Sequence, residues 1–243
     1  MIRFFRKIKQ SLLAEGKTGA YLKYAVGETV LVVIGILIAL QINNWNAERK
    51  YRAQEKDLLE GIKEDLLESK KEIEETISLN DSTVYRYRYI LKNFENNEGV
   101  TPELKTALGW ITNWASPYLT YTTFESLKSK GLDLISDKAL RKKIIAIYDS
   151  QFAFLMEDYD RVEWTISENV CYPLTNKLLR TSIDDPYSAV PNDYDALRTN
   201  DEFINMTHRL ITVRQKGVNR SKVVVSIIYE VIEDIDDAVN EMK

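Results

Sequence analysis

From Tyr24 to Ile42 apolar residues follow one another almost unbroken, interrupted only by Gly27, Glu28, Thr29 and Gln41. Beyond Trp45 the pattern changes: apolar residues recur at three- and four-residue steps among acids and lysines. The first pattern suits a helix in apolar surroundings, the second a helix with one packed face. A helix over the 19 residues 24–42 rises about 28 Å, close to the ~30 Å of a bilayer's hydrocarbon core. The strictly apolar run, Val30 to Leu40, is 11 residues, a length that also fits a buried core helix or the hydrophobic part of a signal peptide. Three features favour a retained span over 24–45. A 23-residue basic segment leads it, no small-x-small cleavage site follows, and Tyr24 and Trp45 bracket it as interfacial aromatics do.

Beyond the span the chain reads as an all-α body over 46–243. Nothing from Ala47 to Asn93 breaks a helix, and Leu59, Ile62, Leu66, Ile73 and Ile77 form its apolar seam. Glu64, Asp65, Glu68, Lys70 and Lys71 read as its solvated face. Asn93 to Thr101 reads as a turn, after which Thr101 caps a helix with Pro102 at its first position. That helix, 103–115, places Trp110 and Trp114 on one face, and Pro117 ends it. Thr122 or Thr123 caps a short helix closed by Gly131. A long helix opens near Ser136 or Asp137, with a face of Leu140, Ile144, Ile147, Phe154, Leu155, Val162, Ile166 and Val170. Pro173 marks a kink, with helix resuming to Arg180. Residues 181–200 read as the longest loop, and a last helix runs from Asp201 to Met242 with Gly217 as its weak point. These elements predict an antiparallel helical bundle.

Charge orients the span. Residues 1–26 carry Arg3, Arg6, Lys7, Lys9, Lys17 and Lys23 against Glu15, so 6 − 1 = +5; the whole chain is −4, which leaves −9 for the rest. Lys and Arg beside a first span stay in the cytoplasm. The prediction is a cytoplasmic basic tail over 1–23, amphipathic and lying on the anionic inner leaflet, with the body outside: periplasmic in a double-membrane bacterium. A solvated basic tail is the simpler alternative. Along the span Glu28, Gly35, Ala39 and Ile42 share one stripe at 100° per residue, and small residues four apart let helices approach closely. This stripe is the expected face for self-association. Glu28 either points inward as an ion or proton relay, or reaches the headgroups from one turn inside the membrane.

The segments Phe4-Phe-Arg-Lys-Ile, Tyr24-Ala-Val-Gly-Glu and Val32-Val-Ile-Gly-Ile-Leu-Ile-Ala-Leu-Gln-Ile-Asn-Asn-Trp-Asn46 resemble a family of bacterial single-span membrane proteins known as a domain of unknown function. The block Thr123-Phe-Glu-Ser-Leu-Lys-Ser-Lys-Gly-Leu-Asp-Leu-Ile135 is similar to a second recurring block of that family. The resemblance implies an inner-membrane protein with a helical domain outside; it brings no activity, ligand or catalytic residue.

Candidate chemistry is sparse. One histidine, His208, and one cysteine, Cys171, fall on different predicted helices, and a satisfied His208 with a packed Cys171 is the simpler reading than a nucleophile pair. Zinc lacks ligands, and neither Asp184-Asp185 nor the run Glu230, Glu233, Asp234, Asp236 and Asp237 has calcium-loop spacing. Phosphate-binding loops are absent from the sequence, so no cofactor and no metal is expected. Tyr85, Tyr87 and Tyr89 alternate, which spreads them around a helix and exposes at least one. Trp110, Trp114, Tyr118, Tyr121 and Phe124 crowd two short helices, either as a core lid or as a contact surface for a partner. The expected partners are the lipid bilayer, a second copy of the chain, and another membrane or periplasmic protein; an acidic body outside the cytoplasm argues against nucleic acid. Three functions follow: a non-enzymatic membrane-anchored scaffold; a component of an ion-driven or sensory complex in which Glu28 titrates; and, weakest, a hydrolase using acids of the 181–200 loop.

Overall fold

The computed structural model describes residues 18–242, apart from the side chains of Thr18, Ala20, Tyr21 and Tyr24. Most of the basic tail, residues 1–17, and the ring of Tyr24 therefore lie outside the described residues. The chain forms two compact units, Met1–Gln54 and Glu55–Lys243. Helix α1, Thr18–Asn96, enters both; all five prolines lie beyond it, so nothing along its 79 residues removes a backbone donor.

In the first unit α1 carries one candidate span. Its best 18-residue window has a mean hydropathy of 2.3, and none of that window is buried. Leu31, Ile34, Leu37, Ile38 and Ile42 all stand exposed, and so does Trp45, with the Arg49 guanidinium 5.6 Å from its ring centre. Glu28 is half-buried, and at Gly35 an added Cβ would meet nothing within 4 Å.

The second unit is an all-α antiparallel bundle. α1 ends in a left-handed turn, Asn97 at φ 51° and Gly99 at φ 76°, where the Glu98 N–H returns to the Asn93 carbonyl (3.1 Å). α2 (Pro102–Gly109) is capped by Thr101, whose hydroxyl accepts the Leu104 N–H at 3.0 Å. α3 (Thr122–Lys130) closes at Gly131. A 3₁₀ turn, Leu132–Leu134, leads to α4 (Lys138–Ala146), capped by Asp137. The chain then alternates between π-helix (Ile147–Phe152, Phe154–Asp160 and Ser167–Cys171) and α-helix, with α5 at Arg161–Ile166 and α6 at Tyr172–Leu178.

Three expectations are corrected here. Neither Thr122 nor Thr123 caps α3: Tyr121 holds the cap position without a side-chain bond, and Asp65 of α1 takes the Thr123 N–H instead. Helix stops at Leu178, not Arg180, because β1 (Leu179–Thr181) pairs antiparallel with β2 (Ala189–Pro191), which lies inside the expected long loop. The same loop holds α7 (Tyr194–Arg198), capped by Asp193. α8 (Asp201–Glu241) follows as expected.

Paired side chains give the register. Along α1, Lys63, Lys70 and Asp81 meet Asp236, Tyr229 and Lys222 of α8. Lys143, Gln151 and Glu163 meet Asp234, Arg220 and Arg214. Both rows run antiparallel to α8. They enclose two cores. One joins Leu59, Ile62 and Leu66 to Phe124, Ile144, Phe152 and Ile228. The other joins Tyr87 and Phe94 to Leu108, Cys171, Phe203 and Leu210.

Candidate functional site

Residues 110–121 belong to no helix beyond a short turn, so their backbone groups need partners elsewhere. Side chains of α1 supply them. The Asn80 amide donates to the Ala115 carbonyl (2.8 Å) and accepts its N–H (3.0 Å). Ser69 Oγ accepts the Thr120 N–H (2.9 Å), and Asp65 Oδ2 the Thr123 N–H (2.6 Å). Asp65 is therefore buried and structural, not part of the solvated face expected of it.

The two tryptophans do not share a helical face. α2 ends at Gly109, where the Asn113 amide takes the Gly109 carbonyl (3.2 Å) that a further helical turn would have used. A side chain at Gly109 would also run into the Tyr187 carbonyl. Trp110 stacks on Tyr187 (centroids 5.2 Å) beneath the Arg86 guanidinium (4.6 Å). Trp114 turns to the other side of the segment. There it meets Trp164 edge-to-face, at 5.0 Å and 89°, and donates its indole N–H to Asp160 Oδ1 at 3.1 Å. The Ser116 hydroxyl donates to the same oxygen. Trp114, Tyr118, Met156, Asp160, Trp164 and Tyr172 line a surface cleft of about 380 Å³. Tyr118 is 84% exposed and Trp164 51%. Tyr121 and Phe124 sit elsewhere: both rings pack on Tyr148 in the first core, Phe124 stacked at 4.1 Å. Of the three alternating tyrosines, Tyr85 is exposed, Tyr87 buried and Tyr89 between the two, as their spacing predicts.

The cleft's helical wall owes its alignment to the π-turns. A pure α-helix turns residues four apart by about 40°, so five such steps rotate a stripe by roughly 200°. Here Leu155, Tyr159, Glu163, Ser167, Cys171 and Thr175 are all buried. Wider i→i+5 turns hold that four-residue stripe in line. The neighbouring stripe, Met156, Asp160, Trp164 and Tyr172, faces the cleft for the same reason. The expected core face at Val162 and Val170 is thereby turned outward, to 41% and 45% exposure, while Ile166 packs at the edge of the second core.

Behind the cleft lies a buried polar stripe that periodicity did not reveal. Arg214 of α8 and Glu163 of α5 are both fully buried; Arg214 Nε donates to Glu163 Oε1 at 3.2 Å. The Tyr159 hydroxyl donates to the same oxygen at 2.9 Å, and the guanidinium lies 4.8 Å from the Tyr87 ring centre. Arg214 Nη1 and Nη2, Glu163 Oε2 and Ser167 Oγ have no hydrogen-bond partner among the described residues. Burial pushes the Glu163 carboxyl up to about 7, the Tyr159 bond opposing it, and lowers Arg214 to about 9.

Cys171 is buried in the second core, and burial, with Glu163 nearby, pushes its thiol up to about 12, the reverse of an activated nucleophile. His208 is exposed on α8, so the structure does not assemble the pair. In the acidic run, Asp234 bonds Lys143 and Asp236 bonds Lys63. In the loop, Asp185 accepts the Tyr187 N–H as part of a turn. Among the described residues no group of three or more His, Cys, Asp or Glu is placed to hold a metal.

Fold and site together define an all-α bundle protein with a candidate membrane span and an aromatic surface cleft. The chain belongs to a family of unknown function, DUF6090, which it matches over residues 28–175, from Glu28 of the candidate span through the cleft-lining stripe. No curated protein and no solved structure matches it.

Proposed function

We propose that this chain is a non-enzymatic, single-pass protein of the bacterial inner membrane that holds its helical bundle outside the cytoplasm as a contact module. The observation that carries the reading is the apolar window of α1, with mean hydropathy 2.3 and no part of it buried. A core helix of a soluble protein buries such a surface. The basic residues before it orient the N-terminus inward, which makes the acidic body periplasmic. Trp110, Trp114 and Tyr118 are the contact residues of the body; Tyr121 and Phe124 belong to its core instead.

The span also assembles the protein with itself, through Glu28, Gly35, Ala39 and Ile42. Since a Cβ at Gly35 would meet nothing within 4 Å among the described residues, Gly35→Leu reads on assembly and not on folding. In nanodiscs the wild type has the mass of a defined oligomer and Gly35→Leu that of a smaller one. Equal masses would sink the assembly reading.

A further inference from the structure

The cleft between the 110–121 segment and the π-containing helix has the composition of a cation trap. Two indole rings stand at right angles, 5.0 Å apart, and make a corner with two aromatic faces. Tyr118, Tyr172 and the thioether of Met156 extend its walls. One charged residue stands among the residues that line it, and it is an acid: Asp160. Its Oδ1 is held by Trp114 and Ser116, so the carboxylate is fixed in place at the base of the corner. No hydrogen bond or ion pair ties Oδ2 among the described residues. The nearest basic residue in sequence, Arg161, pairs with Asp158 instead.

Aromatic faces attract a cation through their quadrupole, most strongly when that cation is bulky and weakly hydrated, and a nearby carboxylate adds charge complementarity. A compact ammonium such as that of lysine keeps its water in so open a site, whereas a methylated one gives it up readily. At about 380 Å³ the cleft lies at the small end of the range for small-molecule pockets, which matches a single head of a few carbons and not a folded partner. We propose that this corner binds a small, free quaternary ammonium compound, with Trp114 and Trp164 facing its methyl groups and Asp160 balancing its charge. The proposal rests on the reading of the cleft as a contact surface and is independent of what the span does.

The test uses the full chain in a maltoside detergent, titrated with choline and followed by tryptophan fluorescence and calorimetry. 3,3-Dimethyl-1-butanol, its uncharged isostere, and ethanolamine, its unmethylated form, are the comparison probes. The result expected is saturable choline binding at least tenfold tighter than either probe. Trp164→Ala weakens it at least fivefold. Asp160→Asn, which keeps acceptors for Trp114 and Ser116 and so keeps the fold, does the same. Equal binding of the uncharged isostere overturns the cation assignment but leaves an apolar contact surface. Binding by none of the probes removes the cleft as a ligand site and leaves the assembly of the span to its own test.

Discussion

Arg214 and Glu163 meet in the interior with only one hydrogen bond between them, so the pair regains little of what its removal from water costs. The groups facing Glu163 are Tyr159 and Asp160 in the π-turn before it, Arg214 from α8 and Cys171 about two turns on. With the carboxyl raised to about 7 from an ordinary value of 4.5, the folded chain keeps a proton between those pH values that the unfolded chain has lost. Stability from this group is therefore complete below about pH 4.5 and is lost as pH rises through 7. The wild type should be less stable at pH 7.5 than at pH 5, by up to about 3 kcal/mol from this residue. Glu163→Gln, which has no proton to lose, should flatten that difference. Thermal melts of both proteins at the two pH values decide it, and parallel pH profiles would contradict the raised carboxyl.

Gly217 shows how an element's meaning changes between sequence and structure. As a glycine in the middle of a 41-residue helix it reads as a weak point, and alanine there should stabilise by roughly 1 kcal/mol on helix propensity. In the bundle, a Cβ on Gly217 would penetrate the ring of Tyr159, which is buried and bonded to Glu163 and so has no room to step aside. Gly217→Ala should therefore destabilise, by about 1–3 kcal/mol as overpacking does. A melting temperature above that of the wild type would show that the two helices can separate. The same helix marks where legibility ends. Thr101 with Pro102, Asp137, Gly131 and the long apolar helix were readable because each signal is local: a cap, a turn residue, a run of one polarity. The inward stripe of Tyr159, Glu163, Ser167 and Cys171 was not, because a 3.6-residue period assigns the core to Val162 and Val170, and no local signal announces a π-turn. Of the cleft, Trp114 and Tyr118 were legible as aromatics worth attention. Asp160 and Trp164 reach it only through the π-helical register, and Trp114 separates from Trp110 only because Asn113 and Gly109 end α2 early.

At the scale of the whole molecule, an unburied apolar window precedes a bundle whose own side chains largely hold its polar groups, from Asn80 on Ala115 to Lys63 on Asp236. That division matches the charge balance, +5 over residues 1–26 and −9 over residues 27–243. The central proposal is that the basic tail and the helical body lie on opposite sides of one membrane. The most direct measurement labels single cysteines in intact cells with a maleimide that cannot cross the inner membrane. Ile183 is fully exposed in its loop and Cys171 is buried, so Ile183→Cys reports without interference from the native thiol. Ile183→Cys should label in intact cells, and Ser11→Cys, in the basic tail, only after the membrane is opened. Labelling of Ser11→Cys in intact cells, with Ile183→Cys protected until lysis, would contradict the proposal.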